Sequence, residues 1–64
     1  MEEKKKRREH WRLMRISKGI KLEELARLIG YSISMLSRYE NGKRDMDSES
    51  VKLYREYIEN TKNL

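Results

Sequence analysis

The chain has no cysteine and no proline, and each absence narrows what it can be. Without thiols, neither a disulfide framework nor a thiolate zinc site can staple it, so stability has to come from helix packing, helped by association where that occurs. Without proline nothing breaks a helix from inside, and punctuation falls to three glycines, Gly19, Gly30 and Gly42. Long apolar runs are also missing, which excludes a membrane-spanning helix. The N-terminus is charged with no apolar stretch behind it, unlike a secretory signal, and the expected location is the cytoplasm. His10 is the one histidine, so a metal site or general-base catalysis is not expected. At 64 residues the chain is near the lower limit for one autonomous domain, too small for a large enzymatic cleft. No paired catalytic constellation or nucleotide-binding loop is present, and neither an enzyme nor a cofactor is expected.

What is abundant is charge. Charged residues make up 42% of the chain and leave a net charge of +5, which suits a polyanionic partner. The excess is uneven, because residues 1–12 carry six basic and three acidic side chains. Within them, Lys4, Lys5, Lys6, Arg7 and Arg8 form a continuous basic run. That run reads either as a helical extension or arm touching phosphate, or as a solvated tail.

The glycines divide the chain into four segments, and each has helical periodicity. In the first, Trp11 and Met14, with Leu13 and Ile16, recur at helical spacing, and Lys18-Gly19 reads as a C-terminal stop. The second, "KLEELARLIG", puts Leu22, Leu25, Ala26 and Ile29 on one face, with Glu23 and Glu24 in the first turn, where they complement the helix dipole. The third runs from about Ser32, an N-cap, to Asn41, with Gly42 free to take the left-handed conformation that closes a helix. The fourth starts at Asp47, around which Met46 and Val51 occupy the positions of a hydrophobic staple. It continues through Leu53, Tyr54, Tyr57 and Ile58 and frays in "ENTKNL". The expected core is Trp11, Leu25, Ala26, Ile29, Leu36, Tyr39, Val51 and Tyr54. Apolar area left over around Tyr54, Tyr57 and Ile58 is a candidate dimer surface.

Only Ile29-Gly30-Tyr31 separates the second and third segments, a connection short enough to force two helices together at a steep angle. Ala26 is small enough to permit close approach, and Leu25, Leu36 and Tyr39 can close the wedge. The third helix then has an unusual outer face. Ser32, Ser34, Ser37, Arg38 and Asn41 form a strip of small hydrogen-bonding groups where long charged side chains are the norm. A helix about 10–12 Å across fits the major groove of B-DNA, about 12 Å wide. Small side chains allow close approach, and Arg38 alone in the strip has the planar fork that matches guanine O6 and N7. The plainer reading is that the serines are only exposed positions and Ser32 only a cap.

In order and spacing, Arg15, then "SKGIKLEELARLIGYS", then "LSRYENGKR" resembles the lambda repressor and Cro type of helix-turn-helix protein, the XRE family. The resemblance covers roughly residues 11–58. It implies an all-α, compact bundle of four to five short helices, with the second helix across the DNA backbone and the third in the major groove. By similarity, base-contact positions fall on Ser32, Ile33, Ser34, Ser37 and Arg38, and phosphate-contact positions on Lys21, Leu22, Asn41, Lys43 and Arg44. Arg15 and Glu40 fall where the family has a partly buried ion pair. The start of the second helix departs from the pattern. Lys21 and Leu22 replace a Ser, Thr or Asn cap and a phosphate-touching Gln or Thr, so the cap lacks a side-chain acceptor and Lys21 substitutes charge for that hydrogen bond.

Together these observations divide the chain into a basic N-terminal extension or arm (1–9), a helix-turn-helix DNA-binding domain (10–60) and a frayed C-terminus (61–64). The expected function is sequence-specific binding of double-stranded DNA by a small transcriptional regulator, a repressor of prophage or mobile-element type. It would act as a homodimer on a palindromic operator, with half-sites about 34–36 Å apart. The alternative is a protein-interaction module, antirepressor or antitoxin-like, that keeps the fold but binds another protein through its first and fourth helices.

Overall fold

Four helices form where the apolar periodicity and the caps place them: α1 (Glu2–Ser17), α2 (Leu22–Ile29), α3 (Ile33–Glu40) and α4 (Ser48–Asn60). The computed structural model describes residues 2–62, with side chains from residue 6 onward. Of the expected frayed C-terminus, residues 63 and 64 lie outside the described residues. Among the described residues there is no strand, and no helix is long and apolar enough to cross a membrane.

The caps explain the boundaries. Ser32 accepts from the Met35 N–H at 3.1 Å and starts α3, and Asp47 accepts from the Ser50 N–H at 3.1 Å and starts α4. At α2 the cap residue Lys21 offers no acceptor of its own. Instead Glu24 reaches back to accept from the Lys21 N–H at 3.1 Å, one half of a capping box. The carbonyl end of α4 is closed from outside the helix, by Lys18 Nζ donating to Ile58 O at 2.7 Å and Glu59 O at 3.2 Å. This satisfies orphan acceptors and places a cation at the negative end of the dipole.

The α2–α3 turn depends on Gly30, which has φ +86. Both the Gly30 and Tyr31 N–H groups donate to the Ala26 carbonyl, at 2.8 and 2.9 Å. A Cβ at Gly30 would meet nothing within 4 Å, so glycine is required here by its backbone angle and not by crowding.

Helices α1 and α2 each pack against α3 and α4. Between them lie the buried side chains of Ile20, Leu25, Ala26, Leu36, Tyr39, Tyr54 and Ile58. Each of the fully buried Leu25, Leu36 and Ile58 contributes on the order of 1.5–3 kcal/mol by leaving water. Three expected core members, Trp11, Ile29 and Val51, are only half-buried at its margin. Leu13 and Ile16 are exposed, at 54% and 49%. The reason is phase. The face of α1 turned toward the core carries buried Arg8 and half-buried Trp11, Met14 and Arg15, spaced by three and four residues, and Leu13 and Ile16 fall outside it.

Two buried groups were unexpected. Ile20 follows Gly19, where an apolar residue commonly packs back on the last turn of the helix just closed. Arg8, in the middle of the basic run, is 7% exposed. It behaves neither as part of an arm nor as part of a solvated tail: it donates to Tyr39 O at 3.4 Å and Arg44 O at 3.0 Å, pairs with Asp45, and lies 4.4 Å from the centre of the Tyr39 ring.

Candidate nucleic-acid interface

Helix α3 has two faces of opposite chemistry. Leu36, Tyr39 and Glu40 turn inward and are buried. Tyr39 is held between the edge of the Tyr54 ring, at 5.6 Å and 77°, and the Arg8 guanidinium. Glu40 is 5% exposed, and its charge is answered on three sides. Arg15 donates through Nε at 2.8 Å and Nη2 at 3.1 Å, a two-point pair, and the Tyr54 hydroxyl donates at 2.5 Å. Arg15 also donates to Ile20 O at 2.8 Å. This network joins α1, α3 and α4, and it fixes the rotation of α3 about its own axis. Burial, and then the bond to Glu40, push the Tyr54 hydroxyl far above its ordinary pKa, so it acts only as a neutral donor.

The outer face follows from that rotation. Ser34, Ser37, Arg38 and Asn41, at spacings of three, four and seven residues, form a continuous strip. Ser34, Arg38 and Asn41 are exposed and Ser37 is half-buried. Ser32 and the 49%-exposed Ile33 stand at its N-terminal end. The Ser32 oxygen is engaged as the cap, but its hydroxyl proton remains available to an outside acceptor. Asn41 donates its side-chain amide to Ser37 O at 2.9 Å. Among the described residues the side chain of Arg38 has no partner, so its guanidinium is free to meet an outside acceptor.

The phosphate-contact candidates fall into two groups. Lys43 is exposed just past the end of α3. Arg44 is half-buried, with its guanidinium 5.5 Å from the centre of the Tyr31 ring and its Nε donating to Asp45 O at 3.3 Å. This holds its charge beside the α2–α3 turn. Of the two carboxylates in this loop, Asp45 is paired with Arg8 and Asp47 caps α4. Lys21 stands apart from this group, exposed at the start of α2. The Leu22 side chain packs against the core, so only its backbone N–H, at the positive end of the helix, can reach an anion.

A family model described as helix-turn-helix matches residues 12–60, most of the chain. The chain belongs to the Cro/C1-type, or XRE, helix-turn-helix family. No curated protein and no solved structure gives a match. Membership makes the chain a DNA-binding regulator, in a family whose members are typically not enzymes. Within that family pattern, residue-by-residue reading missed two contributors. Glu24, whose charge in the first turn suits the helix dipole, also caps α2 and accepts from the Tyr57 hydroxyl at 2.7 Å, tying α4 to the start of α2. Arg8 was hidden by its basic neighbours, and its one signal is the spacing to Trp11 and Arg15.

Proposed function

We propose that the chain is a sequence-specific repressor of prophage or mobile-element type, cytoplasmic, which occupies a palindromic operator as a homodimer and so excludes polymerase. Helix α3 lies in the major groove, where Ser32, Ile33, Ser34, Ser37 and Arg38 face base edges. Lys21, Asn41, Lys43 and Arg44 hold the phosphate backbone on either side and set register without reading sequence. The observation that carries this reading is the outer face of α3: small polar side chains around an arginine that has no partner among the described residues, backed by a buried ion pair that aims them. The homodimer is supported by apolar surface on α4 and α2. Tyr54 and Ile58 are buried, but Leu53 and Leu28 are 40% and 47% exposed and line one shallow groove with Tyr57.

Selection of bound sequences from a random duplex pool tests the proposal. The expected product is a two-fold symmetric site with a conserved guanine in each half, at the position met by Arg38. Recovery of unselected sequence with unchanged composition would overturn it.

A further inference from the structure

Helix α1 has no assigned part in this interface, yet its N-terminal half lies against the loop that supplies Lys43 and Arg44. Arg8 makes this so, through its bonds to the carbonyls of Tyr39 and Arg44 and its pairing with Asp45. One helical turn further along, Arg12 lines a recess with Glu9 of α1 and Glu40 and Asn41 of α3. Glu40 is fully engaged with Arg15 and Tyr54. Arg12 is half-buried, and among the described residues its side chain has no hydrogen-bond or ion-pair partner. An unpaired guanidinium in a recess shared with the end of α3 suits an anion brought there from outside.

We propose that Arg12 is a further phosphate contact, reaching the backbone beside the Asn41 position, with Arg8 as the positioning residue that holds α1 in place for it. This rests on the DNA-binding reading above and extends its footprint from the helix-turn-helix to α1. Glu9, on the rim of the same recess and exposed, would stand close to the same phosphate and oppose it.

The test is the salt dependence of binding by the full chain to its selected duplex. Each neutralised phosphate contributes about −0.9 to the slope of log K against log salt. Arg12→Ala should flatten the slope by about that amount, with an unchanged melting temperature because the side chain has no partner to lose. Arg12→Lys should restore the slope, and Glu9→Gln should tighten binding to cognate and scrambled duplexes alike. Lys52→Ala, which removes an exposed cation from α4, should leave the slope at its wild-type value. If Lys43→Ala flattens the slope and Arg12→Ala does not, the α1 contact is wrong while the DNA-binding reading stands. If Arg12→Ala and Lys52→Ala flatten it equally, the effect is diffuse charge and the contact is again wrong. A wild-type chain that binds no duplex overturns both.

Discussion

The inner and outer faces of α3 are built from the same eight-residue helix and obey opposite rules. Inside, Glu40 is paired with Arg15 and Tyr54, and the Tyr39 carbonyl with Arg8. Outside, Arg38 has no partner among the described residues, Ser32 and Ser34 are exposed and Ser37 is half-buried. Pairing inside holds the helix at one rotation. Vacancy outside leaves hydrogen-bonding capacity for another molecule, and the first makes the second usable, because a rotated α3 would present Tyr39 or Met35 in place of Ser34 and Arg38.

The largest expected effect comes from breaking the inner face. Glu40→Ala leaves the Arg15 guanidinium, 11% exposed, without its counter-charge and the Tyr54 hydroxyl without its acceptor. The expected loss is about 3–5 kcal/mol, enough to unfold most of a domain this small. Urea denaturation followed by circular dichroism would show it, whereas Ser37→Ala on the opposite face should leave the midpoint unchanged.

Gly30→Ala strikes the turn on which both faces depend. The alanine would have to hold φ near +86, at a cost of about 1–2 kcal/mol, visible as a lowered melting temperature. Because nothing crowds that position, a much larger loss would mean that the turn is held by contacts not accounted for by its backbone angle.

Ser32 both caps α3 and stands at its exposed end, whereas Ser34 is exposed and caps nothing. Ser32→Ala should cost about 1 kcal/mol of stability as a lost cap, while Ser34→Ala should cost none and change DNA binding alone. Equal melting temperatures for the two variants would remove the cap role.

The smallest effect is a pH dependence. The Tyr57 hydroxyl first, then the Lys21 N–H, hold the Glu24 carboxyl below its ordinary value of 4.5. Ser50, first through its hydroxyl and then its N–H, and Tyr31 hold Asp47 below 3.8. Both groups bind protons more weakly folded than unfolded. Their contribution is therefore complete above those ordinary values and is lost as pH falls through the lower folded ones. Melting temperature should decline on acidification below about pH 4.5, and Tyr57→Phe should make that decline shallower. A steeper decline in the variant would contradict the assignment.

How legible these faces were in the sequence differs by mechanism. Leu25, Ala26, Leu36 and Tyr39 were readable because periodicity alone separates inside from outside, and the starts of α3 and α4 were readable because Ser32 and Asp47 cap them locally. Arg15 and Glu40 stand 25 residues apart, and their pairing entered only through the resemblance to a family. Arg8 was legible only through its spacing to Trp11 and Arg15, and Arg12 not at all. In a run rich in arginine and lysine, local composition cannot say which cation turns inward, and that choice is made by carbonyls and a carboxylate of residues 39–45, far along the chain. Leu13 and Ile16 show the converse: they share the helical spacing of α1 yet are exposed, because its inward face includes the two arginines Arg8 and Arg15.

The central claim is that the outer face reads bases through Arg38, and titration of Arg38→Ala and Arg38→Lys on the selected duplex and a scrambled one tests it most directly. Arg38→Ala should lose about 1–3 kcal/mol on the selected duplex, much less on the scrambled one, and keep its melting temperature. Arg38→Lys should retain near-normal binding to scrambled DNA with reduced selectivity, since it keeps the charge and loses the fork. Equal losses on the two duplexes for both variants would contradict the claim, make Arg38 a phosphate contact, and move base reading to Ile33 and Ser34.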